Sequence, residues 1–441
     1  MSEGLEQPRP SRVPLPEGTV PVATGLFLAG FTAYAFFKVG QVALGKEHFK
    51  PIVALWFTTF ALVPGFYMPI EQELGRAIAH RKALGQGALP VVRKMVTLSL
   101  ALSTILVVVI LASSPWLTQH MFEGYWAVTI ALVIAFIAYA PMHMARGISS
   151  GSGRFKAYGI IMGVDGLARI GACILLWVLG VDNVGAYAIA VVAAPLFAVA
   201  AVAIRKDLAT QDGPPATYAE ITPNLGWLLL GSVMGAALVN AGPLGVNVLA
   251  NASEAAKVTA FGNGVLLSRV PLFLFQAVQA ALLPRLARLA AQGAFAEFRH
   301  GLSTLLKIVM GVAIVGTVGS FAAGPWALKL VYGDGLDRRT LSLLALASGL
   351  YMLALTVAQA VIALRGHKFV AYGWLAAMGS FVAVTAFASK DLYLRVELGL
   401  VTGSSVALII FAYALRTQLA KGEMPDAALV AEGILDSPFG E

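Results

Sequence analysis

Charged side chains inside long apolar segments are the residues of this sequence best suited to chemistry. Arg269 lies about ten residues into the apolar segment 259–283, hence near the middle of a membrane-spanning helix. A guanidinium there can bind phosphate oxygens through a bidentate fork. The structural alternative is an arginine that pairs with a buried carboxylate or with a free helix-end carbonyl. The position predicts anion binding, unless such a partner occupies the guanidinium.

Asp165 and Arg169 form a second charged constellation. They are four residues apart in the segment 157–179, and this spacing places two side chains on one face of a helix. Two interpretations stay open. As a closed ion pair the residues neutralise each other. Otherwise Arg169 faces a cavity as a substrate-binding residue, or Asp165 responds to a proton or a sodium ion.

The other candidates are one lysine and several amides. Lys38 lies near the end of the first apolar segment, where its ammonium either faces a cavity or extends to the lipid head groups. Asn240, Asn263 and Gln276 can bind sugar hydroxyls or a neighbouring helix, and both roles stay open. Near Asn240, Pro243 removes one helical hydrogen bond and permits a hinge; close packing through adjacent glycines is the alternative.

Membrane helices must position these residues, because the composition excludes a water-soluble fold. Of the 441 residues, 58% are hydrophobic and only 12% are charged, and the mean hydropathy is +0.79. A soluble domain has roughly 25% charged residues, and a bilayer-spanning helix needs about 20 apolar residues. The sequence predicts an all-α polytopic membrane protein with about 12 transmembrane helices. The twelve segments are 20–43, 51–70, 90–112, 122–143, 157–179, 184–204, 224–250, 259–283, 302–324, 340–364, 369–389 and 393–415.

Charges in the short loops predict the orientation of the chain. With the N-terminus in the cytoplasm, 20 of the 31 Lys and Arg residues fall on the inner side and 8 on the outer side. We therefore expect a multi-pass protein of the plasma membrane with both termini cytoplasmic. Residues 71–87 carry apolar side chains at roughly helical spacing among several cations. This pattern predicts either an interfacial helix or an extension of the second helix.

Two landmarks recur and divide the chain into halves. Residues 114–116 (SPW) recur as 324–326 (GPW), an offset of 210, and the motif of 146–159 recurs at 365–373. Because six predicted helices separate the copies, both halves share one orientation, and two six-helix bundles related by a pseudo-twofold axis along the membrane normal are expected. The predicted regions are a cytoplasmic tail 1–19, a bundle 20–204, a cytoplasmic linker 205–223, a bundle 224–415 and a cytoplasmic tail 416–441.

Enzymatic and nucleic-acid-binding functions have little support in the sequence. Cys173 is the only cysteine, and no metal-ligand cluster, phosphate-binding glycine loop or nucleophile constellation stands out. We expect no enzyme activity, no cofactor and no metal site. The net charge of +8 lies in short loops, so no nucleic-acid partner is expected.

The motif at 146–158 (RGISSGSGRFKAY), together with 268–273 (SRVPLF) running into 282–287 (LLPRLA), resembles the polysaccharide-biosynthesis branch of the MOP flippase superfamily. That superfamily also contains the lipid II flippases and the multidrug and toxin extrusion (MATE) exporters. The resemblance implies two six-helix bundles around a central cavity that work by alternating access on a lipid-linked saccharide. Its expected partners are a lipid-linked glycan, membrane lipids and a proton or sodium coupling ion.

The sequence differs in one feature from each of two related branches, the lipid II flippases and the MATE exporters. Lipid II flippases usually add two further helices, and MATE exporters commonly use an acidic residue in the first helix, where this sequence has Lys38 and no acid. A MATE-like cation-coupled antiporter of small molecules stays an alternative. A scaffold of a glycan-assembly complex that transports nothing is the other.

Overall fold

Helices make up the architecture of the described chain. The computed structural model describes residues 19–222, 225–272, 289–290, 293–333, 335–364 and 366–422. Its α-helices are α1 (Thr19–Leu44), α2 (Lys50–Ala83), α3 (Leu89–His120), α4 (Trp126–Gly151), α5 (Phe155–Val178), α6 (Val184–Ile204), α7 (Tyr218–Ile221), α8 (Leu225–Leu249), α9 (Ala255–Ser268), α10 (Phe295–Tyr332), α11 (Arg338–Ala363), α12 (His367–Phe387) and α13 (Leu392–Gly422). No strand occurs within these ranges. Each of the twelve predicted segments overlaps one of these helices, and α7 is a single turn in the linker.

Some predicted features lie outside the described residues. They include Gln276, Arg365, the motif at 282–287 and most of both predicted tails. The eighth predicted segment, 259–283, is described only as far as Leu272. The structure therefore places Arg269 but not Gln276.

Eleven of the described helices are long and apolar enough to cross a membrane. Among these eleven, α3 and α10 are the least buried, and their outward faces carry large apolar side chains such as Leu100 and Ile314. Lipid rather than water suits such faces. Each of the two helices also has a proline near its C-terminal end, Pro115 in α3 and Pro325 in α10. The two helices thus correspond to each other in the sequence repeat.

The helices form an N-bundle, α1–α6, and a C-bundle, α8–α13. In the N-bundle, α1 packs along α5 and α2 packs along α4. In the C-bundle, α12 packs along both α8 and α13, and α10 packs along α11. The close approach of α1 and α5 requires glycine, because a Cβ at Gly25 would lie 2.4 Å from the carbonyl oxygen of Gly159.

Helices α2, α8 and α9 join the two bundles. α2 packs along α8, and a Cβ at Gly65 would lie 2.9 Å from the Cα of Val233. The outer end of a helix is here the end that the charge pattern predicts to face away from the cytoplasm, and the inner end is the opposite one. α2 runs without a break from Lys50 to Ala83. Of the two interpretations of residues 71–87, the structure thus shows the extension of the second helix.

The linker between the bundles lies against the inner end of α2. Arg81 donates to both carboxylate oxygens of Glu220, at 2.7 and 2.9 Å, and to the carbonyl oxygen of Pro214 at 2.7 Å. The backbone N–H of Leu89 donates to the carbonyl oxygen of Gln211 at 3.0 Å. These bonds attach the linker to the N-bundle before α8 begins.

Candidate functional site

Arg269 lies at the junction of the two bundles. It follows the last residue of α9 and is only 8% exposed. Its guanidinium donates to the side-chain oxygen of Asn240 at 3.1 Å and to the backbone carbonyl oxygen of Val239, both on α8. The guanidinium carbon is 5.3 Å from the ring centre of Phe57, which belongs to α2 of the other bundle. The side chain therefore contacts both halves of the protein.

The sequence of α8 explains why a backbone carbonyl is free to bind Arg269. Pro243 lies inside α8 and has no N–H group, so it cannot donate to the carbonyl of Val239 four residues earlier. The guanidinium supplies the missing donor. Arg269 thus binds a free backbone carbonyl, which is one of the two partners expected for an arginine with a structural role. It has no carboxylate at ion-pair distance within the described chain, so its charge has no countercharge there.

A small cavity adjoins Arg269 inside the C-bundle. Its volume is about 20 Å³, and its polar lining includes Ser268, Ser348, Tyr351 and Ser404. A space of this size holds about one water molecule. This space is therefore too small for a phosphate group.

Two of the candidate amides also lie between the bundles. The amide nitrogen of Asn240 donates to the carbonyl oxygen of Phe60 on α2 at 3.0 Å, while its oxygen accepts from Arg269. Asn263 on α9 exchanges two side-chain hydrogen bonds with Gln41 on α1. The structure thus brings Arg269, Asn240 and Asn263 to one interface, which the sequence could not show.

Asp165 and Arg169 form a closed ion pair inside the N-bundle. The guanidinium donates to one carboxylate oxygen at 2.6 Å and to the Tyr139 hydroxyl at 3.0 Å. It also donates to the carbonyl oxygen of Val191 at 3.1 Å and lies 5.2 Å from the ring of Trp56. The other oxygen of Asp165 is buried and makes no hydrogen bond with the described residues. The pair is buried and shares no hydrogen bond with Arg269 in the described chain, and one carboxylate oxygen of Asp165 stays without a hydrogen-bond partner there.

Lys38 lies on the exposed face of α1. Phe27, Phe31 and Val42 are exposed on the same face of the helix. In the described chain the ammonium of Lys38 makes no hydrogen bond or ion pair, and it does not meet Arg269 or Asp165. The lysine is therefore placed at the surface of the N-bundle in this conformation.

The structure contains a buried ionic cluster around Glu71 that the sequence analysis did not predict. Glu71 on α2 lies 2.8 Å from Nδ1 of His143 and 3.2 Å from the guanidinium of Arg146, both on α4. The Tyr158 hydroxyl on α5 donates to Glu71 at 3.1 Å and accepts from Arg146 at 2.6 Å. The sequence feature that could have revealed the cluster is Glu71 itself, an acid one residue past the predicted end of the second helix at residue 70. Helical spacing of apolar residues beyond it shows that the helix continues.

Glu397 is a second residue that the sequence reasoning missed. It lies within the predicted segment 393–415, and an acid inside a membrane helix is a functional candidate by default. In the structure it is fully buried near the start of α13. That general rule, applied to every apolar segment, would have found it.

Comparisons with known proteins give relatives of uncharacterised function. No protein-family model matches the chain. The Mycobacterium tuberculosis protein described as "Uncharacterized protein Rv1510" (strain H37Rv) is 28% identical over 330 residues, which cover 71% of this chain and 72% of that protein. The protein described as "Uncharacterized protein MT1558/MT1560" from strain CDC 1551 has the same identity and coverage.

Solved structures show which fold the chain has. An inward-facing multidrug resistance MATE family transporter of the MOP superfamily matches with a TM-score of 0.68 at 14% identity, over 91% of this chain and 96% of that one. An outward-facing structure of a transporter from the same family also matches with a TM-score of 0.68, at 16% identity over 92% of this chain and 95% of that one. A mutant of the Vibrio cholerae MATE transporter VcmN matches with 0.67, at 14% identity over 92% and 98%. The predicted all-α fold of two bundles is confirmed, and the chain has the fold of the MATE transporters.

Proposed function

We propose that this protein is an exporter or flippase that moves a lipid-linked saccharide across the cytoplasmic membrane by alternating access, for cell-surface polysaccharide synthesis. The observation that carries the proposal is the position of Arg269. Its buried guanidinium lies between the two bundles and has no carboxylate at ion-pair distance in the described chain. Guanidinium matches phosphate oxygens, and a saccharide linked to lipid through phosphate presents them.

A fixed positive charge suits an anionic cargo for electrostatic reasons. Unpaired charge is costly in a low-dielectric region, so a phosphate that crosses the membrane gains from a cation on its path. Asn240 and Asn263 border the same interface and offer amides to sugar hydroxyls once the bundles separate. Lys38, Arg169 and Gln276 stay further candidates for substrate binding, and Asp165 stays a candidate for binding the coupling proton or sodium ion.

Alternating access fits the way in which the bundles meet. On the outer half they are joined by side-chain contacts, including the pair of Gln41 and Asn263 and a 2.7 Å bond from the Tyr34 hydroxyl to the carbonyl oxygen of Leu266. Such contacts can break and re-form as two rigid bundles rock. The fold is also known in structures described as inward-facing and as outward-facing.

A MATE-like antiporter of small molecules is the second candidate function. The fold favours it, because solved structures of this fold are described as multidrug resistance transporters. The charge of Arg269 argues against cationic drugs as cargo, since a buried guanidinium repels them. A test of both functions must therefore compare an anionic lipid-linked saccharide with a cationic small molecule.

The test is a transport assay with purified protein in liposomes. One cargo is a fluorescent saccharide on a polyprenyl pyrophosphate, and the other is a cationic dye. Wild type should move the saccharide, Arg269→Ala should not, and Lys307→Ala should match wild type. Lys307 is a suitable control because it is an exposed cation on α10.

Each contrary result supports a different function. Movement of the dye without the saccharide would replace the proposal with the antiporter. Movement of neither cargo, with lipid-linked intermediates that still accumulate when the protein is depleted from cells, would favour the scaffold. Identification of those intermediates would also name the saccharide and its lipid carrier.

A further inference from the structure

One buried carboxylate in the described chain differs from the others. Glu71, Glu73 and Asp165 are buried, and each has a cationic side chain within 3.2 Å of a carboxylate oxygen. Glu397 is 0% exposed, and neither of its oxygens makes a hydrogen bond with the described residues. An ionised carboxylate in that position would be strongly unfavourable.

The surroundings of Glu397 do not supply a full countercharge. The Thr340 hydroxyl on α11 lies beside the carboxylate, but the two form no hydrogen bond of normal geometry, and that hydroxyl is itself buried without one. Among the described residues, the cationic atom at ion-pair distance is Nε of Arg339 at 3.9 Å, on a side chain that is 48% exposed. A long contact to a half-hydrated guanidinium stabilises a buried anion only weakly.

Arg339 is also shared with two other acids. Its guanidinium lies 3.8 Å from Asp337 and 3.6 Å from Asp391. Three carboxylates thus surround one guanidinium, so Arg339 cannot neutralise all three when they are ionised. Asp337 and Asp391 are more than half exposed, so water stabilises their charges, whereas Glu397 has no such access.

We propose that Glu397 binds a proton in this conformation and is a proton site of the transport cycle. A proton neutralises the carboxylate without needing space in the packed bundle. Bound to one carboxylate oxygen, it also makes Glu397 a donor that can reach the Thr340 hydroxyl after a small rotation. Binding of the proton follows from the local geometry, while its use in transport rests on the proposed function.

The ends of α11 and α13 provide the route for this proton. Asp337 accepts from the backbone N–H of Thr340 at 3.2 Å, and Asp391 accepts from that of Leu394 at 2.8 Å. These bonds hold both acids at the N-terminal ends of the two helices, which are outer ends. Separation of these ends would expose Glu397 to external water and let its proton leave.

The test measures how the stability of the purified protein depends on pH. A folded chain that holds a proton released on unfolding loses stability as pH rises above the range in which an exposed glutamate titrates. Glu397→Gln mimics the protonated side chain and should remove this part of the dependence, and unfolding should release about one proton fewer per chain than in wild type. Glu254→Gln changes a partly exposed glutamate at the outer end, whose side chain is 20% exposed and pairs with Lys257, and it should retain the wild-type dependence above the range in which an exposed glutamate titrates.

A second variant covers the case in which Glu397→Gln does not fold. Thr340→Val keeps the shape but removes the hydroxyl that can donate to the ionised carboxylate, so it should fold and shift the midpoint of the pH dependence to higher pH. If Glu397→Gln folds and keeps the wild-type pH dependence, the proposal is wrong. If Glu397→Gln does not fold, an unshifted midpoint in Thr340→Val would overturn the proposal. Sodium is compared with choline at constant pH. If sodium stabilises wild type but not Glu397→Gln, Glu397 binds sodium rather than a proton, and the proposal is overturned.

The role in transport is tested separately in liposomes. A proton gradient should accelerate saccharide movement by wild type and by Glu254→Gln, but not by Glu397→Gln. An equal acceleration of Glu397→Gln would overturn the transport role. If wild type moves no saccharide, the proposed function fails, while the pH dependence of stability still decides whether Glu397 binds a proton.

Discussion

Gln41 of α1 and Asn263 of α9 exchange two side-chain hydrogen bonds across the junction of the bundles. Each amide nitrogen donates to the other amide oxygen, at 2.7 and 3.0 Å, and both residues are buried. On the same outer half the Thr259 hydroxyl donates to the carbonyl oxygen of Lys46 at 2.8 Å. These side-chain hydrogen bonds therefore join the two bundles at their outer ends.

Asn263→Ala should open the outer half of this junction. It leaves the buried amide of Gln41 without its partner, which costs the closed state about 1 to 3 kcal/mol. A cysteine introduced by Ser268→Cys in a Cys173→Ala background should then react with an impermeant maleimide about tenfold faster. The variant that carries both Gln41→Ala and Asn263→Ala leaves no unpaired amide and should react more slowly than Asn263→Ala alone. Equal rates in all three proteins would show that this pair does not control closure.

The existence of the helices could be predicted because the bilayer sets both their length and their apolar composition. Their ends could not be predicted as well. α2 was expected to end at residue 70 and ends at Ala83, and α10 extends beyond 302–324 to Phe295–Tyr332. A helix can continue into the head groups and water, where no apolar composition is required. Hydropathy therefore marks the part of each helix inside the lipid.

The partners of the charged residues depend on contacts that single-sequence reasoning does not contain. Arg269 stood out because a cation inside an apolar segment is costly. Its bond to Val239 depends on Pro243, which lies on a different helix. The spacing of Asp165 and Arg169 predicted an ion pair because both lie on one helix, and their 2.6 Å contact has that geometry. Local pairs are thus readable from spacing, and pairs between helices are not.

Asp165→Asn should lower the stability of the N-bundle. It leaves the buried guanidinium of Arg169 without its carboxylate, and breaking such a pair costs about 3 to 5 kcal/mol. The double variant Asp165→Asn with Arg169→Gln has no buried charge and should regain much of the loss. Thermal unfolding in detergent measures both. A stable Asp165→Asn that loses ion-driven transport would instead support Asp165 as an ion-coupling residue.

Arg81→Ala should release the linker from the inner end of α2. Glu220 and the carbonyl of Pro214 lose their shared donor, so the segment around them should become accessible. A protease added to inside-out vesicles should cleave the variant between residues 205 and 223 faster than wild type. Lys82→Ala, which removes a neighbouring exposed lysine, is the matched control. Unchanged cleavage of Arg81→Ala would mean that the other linker contacts suffice.

Cysteine labelling can test the predicted orientation of the helices. Arg338 begins α11 and Lys421 lies near the end of α13, so the two positions are expected on opposite sides of the membrane. In a Cys173→Ala background, an impermeant reagent added to intact cells should label Arg338→Cys but not Lys421→Cys. Inside-out vesicles should give the reverse. Labelling of both from one side would refute the predicted topology.

The variants of Arg269 test the anion-binding role, and the structure shows how to separate this role from a structural one. Arg269→Ala removes the donor to the Val239 carbonyl, so some loss of stability is expected, about 1 to 3 kcal/mol. Pro243→Ala supplies a backbone N–H that can donate to the same carbonyl within α8. The double variant should therefore be more stable than Arg269→Ala alone.

Saccharide transport should respond differently from stability. Because the backbone N–H at position 243 replaces the hydrogen bond but not the charge, the double variant of Pro243→Ala and Arg269→Ala should stay inactive although its stability recovers. Arg269→Lys keeps the charge and loses the bidentate fork, so it should retain partial transport. Pro243→Ala alone is the control for any effect of the proline on movement of α8. Folded yield, thermal unfolding and transport in liposomes are measured for all four proteins. Full transport by the double variant would show that Arg269 serves only to bind the Val239 carbonyl.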